Sequence, residues 1–369
     1  MQLNKIALLC DTLGGGGAEQ VMSSLAKLFS SEIDHVDFLV ARKEGVYVDK
    51  VEKYANLIDL NTRARFMMPK LISYMRKEKP QVILSTQGHI NIASALSSSF
   101  VNTKSILREA TTPSIALKLQ NRSKWPLRLT YKLADRIVSV SDGVKQDLET
   151  NFSLNPNNIQ TIYNPIISED LYDSASEKVE HPWFSKKTPV IISMGRFAKA
   201  KDYPTLIKAF NIIRKSIDCK LMILGDHECD LSVKDEVASL IDQFELTKDI
   251  DLLGFKKNPF PYIKNSSLYI LSSMYEGLPG ALIQAKALGC HVVSTDCESG
   301  PREILENGEN GILVPVKNYR ALAEAAIGVL KSNETSKPLS SNFKKKYTSQ
   351  GVTDQYLSLF KELISKPGK

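Results

Sequence analysis

Short apolar runs alternate with amphipathic stretches along the whole chain, and the two periods stay distinct. In the first half, runs at residues 5–10, 36–41, 82–85, 104–107, 137–140 and 159–163 predict strands. Helical spacing falls between them over 18–29, 65–77 and 143–151. The second half repeats the alternation, with strands expected at 190–194, 221–224, 251–253, 268–271, 291–295 and 311–314. Its helices are expected at 203–217, 233–244, 280–288 and 319–330. Runs of Val and Ile without polar alternation are buried on both faces, as in a parallel sheet between helix layers. Two such series predict an α/β protein of two Rossmann-like, doubly wound domains.

The boundary between the series is legible. Asn164–Pro165 ends the sixth expected strand, an acidic stretch follows over 168–180, and prolines stand at 182 and 189. Proline and lost periodicity predict domains at 1–165 and 189–340 with a linker at 166–188. A last helical segment, 341–369, carries Tyr356, Leu357, Phe360, Leu363 and Ile364 on one face and is expected to cross back to the first domain. Ligands of open parallel sheets bind beyond the carboxyl ends of the strands, so two such domains are expected to face a central cleft.

A length of 369 residues with 43% hydrophobic and 24% charged content suits two cores and excludes disorder or a disulfide-stapled miniprotein. The cysteines, at 10, 219, 229, 290 and 297, are odd in number and form no CxxC pair, which fits a reducing compartment. No apolar run approaches the ~18 residues of a membrane span, and residues 6–10 are too short for a signal-peptide core. A cytoplasmic protein is expected. The charge is uneven: residues 1–165 carry 21 Lys and Arg against 15 Asp and Glu, a net +6, while 166–369 carry 27 against 26. That concentrates a basic face on the first domain.

Candidate chemistry sits in the loops that follow strands. Asp11-Thr-Leu-Gly-Gly-Gly-Gly-Ala-Glu19 opens a helix, and its glycines let backbone N–H groups approach an anion at a helix N-terminus. The third glycine of the dinucleotide fingerprint falls on Glu19, so that motif fails, and a tight turn is the alternative. In the second domain, Gly195-Arg196 ends a strand and Lys201 follows five residues after Arg196, before the next helix. Two cations there suit a diphosphate, Arg by bidentate bonding and Lys as a point charge. Further on, Glu276-Gly277-Leu278-Pro279 leads into a helix bearing Gln284. The carboxylate suits sugar hydroxyls, and Gln284 can reach ribose hydroxyls. His227-Glu-Cys229-Asp230 looks ligand-like but lacks the second PCxxC segment of the zinc deaminases, so a polar turn is expected. Cys290 and His291 begin an apolar strand and are expected in the core. Glu109 faces the expected cleft with its role open, and Glu303 contacts a ligand or caps a helix.

The ordered series GGGGAE, VSVSDG, IYNP, GRFAKAKDYPTLIKAF, LMILGD, LLGF, SSMYEGLPGALIQAKALG and SGPREILENGENGILVP resembles the retaining glycosyltransferases of family 4, which have the GT-B fold. The resemblance covers nearly the whole chain and is strongest from Pro189 to Pro315. It implies an acceptor-side first domain and a nucleotide-sugar-binding second domain. It also implies that Arg196 and Lys201 bind the donor diphosphate, Glu276 the donor sugar, and the residue at Gln284 the ribose. Family members carry a second glutamate at that last position, and many carry asparagine where this chain has Gly280. Gly15 and Gly16 are implied beside the donor phosphates, Gly254 and Phe255 near the base, and His89 near the reacting carbon. The implied activity moves a hexose or N-acetylhexosamine from a UDP-sugar to a glycan acceptor, with no metal or other cofactor. Many relatives build lipopolysaccharide or capsule on a polyprenyl-diphosphate lipid. The alternatives are a GT-B sugar-nucleotide 2-epimerase and a non-catalytic sugar-binding subunit.

The basic excess has a focus. Lys118, Arg122, Lys124, Arg128, Lys132 and Arg136 fall within nineteen residues, interleaved with Leu119, Trp125, Leu127, Leu129 and Leu133, and Pro126 is expected to break the stretch into two helices. Residues 65–77 are also basic and amphipathic. Such faces suit an anionic membrane surface, and peripheral attachment at the inner face of the plasma membrane is expected. A solvated helix face is the alternative. No nucleic-acid recognition signature is present, so no nucleic-acid partner is expected.

Overall fold

The computed structural model describes residues 2–365 except 187, 226–229, 333–335 and 337; of residue 345 only the backbone is described. The chain divides into two compact units, one formed by Met1–Pro165 with Lys346–Lys369 and the other by Ile166–Lys345. Each is built on one parallel sheet.

In the first unit the strands are β1 (Lys5–Cys10), β2 (His35–Val40), β3 (Asn56–Asp59), β4 (Val82–Thr86), β5 (Lys104–Glu109), β6 (Arg136–Ser139) and β7 (Ile159–Thr161), in the order 3-2-1-4-5-6-7. β1 is central, with Ile6 registered against Val36 on one side and Val82 on the other. Its side chains alternate between two buried faces. Ala7 and Leu9 pack with Leu71, Met75, Ile90 and Ala93 from the Met68–Glu78 and Gly88–Ser98 helices. Ile6, Leu8 and Cys10 are equally buried and, by the strand's two-residue period, belong to the opposite face. The Gly17–Ser30 helix meets the last helix, Ser349–Ser365, through Phe29, whose ring lies edge-on to Tyr356 at 5.6 Å and Phe360 at 5.3 Å.

The second unit holds β8 (Val190–Met194), β9 (Lys220–Leu224), β10 (Ile250–Gly254), β11 (Leu268–Leu271), β12 (His291–Thr295) and β13 (Ile312–Val314), ordered 10-9-8-11-12-13. Ile191, Leu221, Ile223, Leu268, Ile270 and Val293 form its core with the Tyr203–Ser216, Leu231–Gln243 and Tyr319–Lys331 helices. The expected fold class, two doubly wound parallel α/β sheets, is therefore the observed one.

Several local expectations need correction. β3 was not expected, because its four residues form a half-exposed edge that carries no apolar run. The Gly88–Ser98 helix was also missed: it buries small residues between neighbouring helices and shows little amphipathic contrast. The expected single C-terminal helix is two, Ser341–Tyr347 and Ser349–Ser365. The basic stretch does fall into two helices as expected, with Pro126 in the first turn of the second, Trp125–Tyr131, where its missing N–H is harmless. The preceding helix, Pro113–Leu119, ends before it. Among the described residues no helix is long and apolar enough to cross a membrane.

Candidate functional site

In the second unit the carboxyl ends of β8, β9 and β10 are tied together by glycine backbone. Gly195 donates its N–H to the Leu224 carbonyl at 2.9 Å, and Gly225 donates to the Gly254 carbonyl at 2.8 Å. Gly225 has φ +109°, and a Cβ there would stand 2.6 Å from the Gly195 carbonyl oxygen. Only glycine permits that conformation and that approach together. Gly195 likewise lets the Lys201 stem cross its backbone, since a Cβ would meet Lys201 Cε at 2.8 Å.

Lys201 ends a short 3-10 turn, Lys199–Lys201, ahead of the Tyr203–Ser216 helix. Its Nζ lies 2.5 Å from Glu276 Oε1, and the Ser273 hydroxyl donates to the same oxygen at 2.7 Å. The two loops are also sewn together through backbone. Met274 N–H donates to the Ala200 carbonyl at 2.7 Å, and the Ser272 hydroxyl donates to the Lys201 carbonyl at 2.7 Å. The two residues assigned separately to diphosphate and to sugar thus form one half-buried ion pair. Arg196 is exposed just past β8. Its charge reaches Tyr275, whose hydroxyl is pushed up by burial and by Glu276, with Arg196 opposing. Burial, reinforced by Glu276, also pushes the Cys297 thiol to about 12, which leaves it a neutral core group.

The Glu276 loop is held from beneath. Thr295 donates to the Ser273 carbonyl at 2.6 Å and Ser299 to the Gly277 carbonyl at 2.9 Å. Leu278 and Pro279 are buried. The next helix, Gly280–Ala287, carries Gln284, which is buried as well. A Cβ on Gly280 would stand 3.0 Å from Ile166 Cδ1, so a larger residue there requires the Ile166 side chain to shift. Phe255, directly after β10 ends at Gly254, is 43% exposed.

In the first unit, Asp11 follows β1 and His89 stands in the first turn of the Gly88–Ser98 helix. Their side chains meet at 3.2 Å, and the bond to His89 holds the Asp11 carboxyl below its ordinary value. Gln87, at φ +75°, links the same loops: its carbonyl accepts the Asp11 N–H at 3.1 Å and its amide donates to Glu19 at 2.5 Å. Glu19 is the third residue of the Gly17–Ser30 helix and folds back over Gly16, where a Cβ would be 2.3 Å from its carboxylate. The glycine loop therefore already has a carboxylate of its own beside Gly16.

At the end of β5, Glu109 is buried and receives the Tyr131 hydroxyl at 2.7 Å and the Thr111 hydroxyl at 3.2 Å, and burial raises its pKa. Arg108 is buried beside it, donating to Thr86 Oγ1 at 3.1 Å and to Asn164 Oδ1 at 2.5 Å. Sequence reasoning missed Asp11, Gln87, Ser273 and Tyr131 as partners in these clusters. Asp11 alone carried a signal, as a polar residue directly after an apolar strand. Cys290 is buried, and its thiol donates to the Ser266 carbonyl at 3.5 Å, as expected of a core residue. His227, Glu228 and Cys229 lie outside the described residues, and among those described no three His, Cys, Asp or Glu side chains gather as a metal site.

Known proteins match both units. Residues 15–170 fit the family described as Glycosyltransferase Family 4, and residues 175–346 the family described as Glycosyl transferases group 1. An N-acetylgalactosamine-N,N'-diacetylbacillosaminyl-diphospho-undecaprenol 4-alpha-N-acetylgalactosaminyltransferase from Campylobacter jejuni is 29% identical over 91% of this chain and 92% of its own. A capsular polysaccharide biosynthesis glycosyltransferase, CapH of Staphylococcus aureus, is 25% identical over 79% and 81%. The crystal structure of Anabaena Alr3699/HepE in complex with UDP-glucose superposes with a TM-score of 0.82 at 16% identity, covering 97% of this chain and 99% of that one. With one glycosyltransferase family matched on each unit and relatives aligned almost end to end, the chain belongs to the glycosyltransferases of the family 4 type, with the GT-B fold.

Proposed function

We propose that the protein is a retaining glycosyltransferase that moves a hexose or N-acetylhexosamine from a UDP-sugar to a polyprenyl-diphosphate-linked glycan, in the synthesis of lipopolysaccharide or capsule. The observation that carries this reading is the Lys201–Glu276–Ser273 cluster at the carboxyl end of β8 and β11. Breaking the bond between the anomeric carbon and the diphosphate sends its electron pair to the phosphate oxygen. Preorganised cations stabilise that charge without reorganisation. Lys201 and Arg196 supply them, so no metal ion is required. Glu276, released from Lys201 by the incoming diphosphate, takes the sugar hydroxyls. Phe255 takes the base, and Gln284 the ribose.

The acceptor oxygen bonds to the anomeric carbon on the face the phosphate leaves, and its proton passes to the departing phosphate oxygen. His89, held by Asp11, orients the acceptor in the first unit. The Campylobacter relative is named for a diphospho-undecaprenol acceptor, and the Staphylococcus relative for capsular polysaccharide, which supports the lipid-linked, surface-glycan form of the proposal. An acceptor of that kind puts the enzyme at the inner face of the plasma membrane, with the basic first unit against it.

The test is transfer from a panel of UDP- and GDP-sugars to a polyprenyl-diphosphate-linked glycan in detergent, with and without chelator, and with the anomeric configuration of the product read by NMR. Transfer from one UDP-sugar with the configuration kept is expected, unaffected by chelator. Inverted product overturns the retaining mechanism. Free epimerised sugar nucleotide without transfer overturns the transferase reading.

A further inference from the structure

We propose that the Trp125–Tyr131 helix, with the turn that follows it, is the element that docks on anionic phospholipid, with Trp125, Leu129 and Leu133 entering the headgroup layer. This rests on the lipid-linked reading above and assigns it a surface. The three residues recur at intervals of four, so they line one stripe, and they are 57%, 59% and 42% exposed. Leu127, Tyr131 and Ala134 form the opposite, buried stripe. A helix of a water-facing domain buries one apolar stripe and turns polar residues outward. This one turns a second apolar stripe outward.

Beside it run Lys124, Arg128 and Lys132 at the same interval of four. Lys124 and Lys132 are exposed, and the Arg128 guanidinium lies over the Trp125 ring at 5.1 Å. Leu119, Lys118 and Arg122, all exposed, continue the same character upstream. No Asp or Glu occurs anywhere between residues 110 and 134.

Charge decides the occupant. Cations with no acidic residue in their own segment, flanking Trp and Leu side chains, match an anionic headgroup layer over acyl chains. Single-stranded nucleic acid would use the cations and stack on Trp125, but would leave Leu129 and Leu133 in water. A second copy of this chain would bring cations against cations.

The helix is also firmly mounted. On its buried side the Tyr131 hydroxyl donates to Glu109 at 2.7 Å and accepts from Asn91 Nδ2 at 2.9 Å. Docking through the outer stripe therefore fixes the height of the carboxyl end of β5 above the lipid.

The chain has two tryptophans, so Trp183→Phe leaves Trp125 as the sole tryptophan, excited selectively beyond the tyrosine band. This full-length variant is titrated with vesicles of phosphatidylcholine alone and of phosphatidylcholine mixed with phosphatidylglycerol. A blue shift and quenching by brominated acyl chains are expected with the anionic vesicles only, weakening as salt is raised. Neutralising Lys124, Arg128 and Lys132 to Gln is expected to lower vesicle affinity on the order of a hundredfold. Leu129→Glu is expected to remove the shift while keeping sugar transfer to a detergent-solubilised acceptor.

Co-sedimentation with anionic vesicles but an unshifted Trp125 overturns the assignment, as does failure to sediment with them. An equal shift with single-stranded RNA reassigns the face to nucleic acid. A parent protein that docks as expected but transfers no sugar in detergent overturns the transferase reading and leaves the docking face standing.

Discussion

Lys201 and Glu276 are paired with each other although each is assigned a different part of the donor, and this sets up a prediction of opposite signs. The pair sits at 2.5 Å, with the lysine side chain 23% and the glutamate 13% exposed. Fully exposed pairs contribute ~0.2–1 kcal/mol, whereas removing one partner of a buried pair costs ~3–5 kcal/mol. A position between these limits puts Lys201→Ala at about 2 kcal/mol of stability, because it leaves the less exposed carboxylate with the Ser273 hydroxyl as its remaining bond from this cluster. Glu276→Gln should cost less, because the freed ammonium is the more exposed partner and can turn to water. For UDP the asymmetry sharpens. Lys201→Ala removes a charge-assisted hydrogen bond, ~1.5–3 kcal/mol, and leaves the diphosphate beside a bare carboxylate, so UDP affinity should fall at least about tenfold. Glu276→Gln leaves Lys201 unengaged and should bind UDP as tightly as the parent or more tightly, while sugar transfer is lost. The assay is calorimetric titration of both variants and the double variant with UDP, beside thermal melts. If Glu276→Gln weakens UDP as much as Lys201→Ala does, the pair acts as one structural unit and the division of labour proposed for it is wrong.

Three further outcomes are expected. Gln284→Glu places a carboxylate at a buried position, so it should lower the melting temperature of the free protein, and in exchange for a neutral hydrogen bond it should tighten UDP by about 1 kcal/mol; a calorimetric titration showing weaker UDP binding would refute the ribose assignment. Gly225→Ala forces a side chain into φ +109° with its Cβ 2.6 Å from a carbonyl oxygen, and should cost ~1–3 kcal/mol or more in urea unfolding; an unchanged midpoint would contradict the close approach of β8 and β9. Asp11, whose folded pKa is depressed by the bond to His89, contributes stability that is intact above its unfolded value of about 4 and is lost as pH falls through the lower folded value. Asp11→Asn should therefore flatten the parent's loss of melting temperature in that acid window, and parallel curves for the two proteins would show that the bond is not formed in solution.

Much of the architecture was legible along the chain because a doubly wound sheet writes itself plainly in sequence. β1, β8, β11 and β12 begin and end where their apolar runs do, since strands buried on both faces have no polar positions to blur them. The elements that escaped were those whose burial comes from neighbours rather than from their own pattern. β3 is a half-exposed edge, and the Gly88–Ser98 helix is made of small residues fitted between other helices. Candidate residues were legible as types placed after strands: Arg196, Lys201, Glu276 and His89 all stand where a parallel sheet presents its ligand-binding loops.

What those residues touch was decided only in three dimensions. Lys201 and Glu276 are 75 positions apart and Asp11 and His89 are 78 apart, and nothing local couples them. Tyr131 and Glu109, 22 positions apart, meet through a hydrogen bond between a helix and a strand. The basic stretch shows the division most clearly. Its composition was plain from the sequence, but which of its leucines enter the core and which face outward was not. With Pro126 in the first turn of the second helix, a four-residue period puts Leu127 inside and Trp125, Leu129 and Leu133 outside. Sequence periodicity fixes which residues share a face; only the packing of that face against the rest of the unit fixes which way it points.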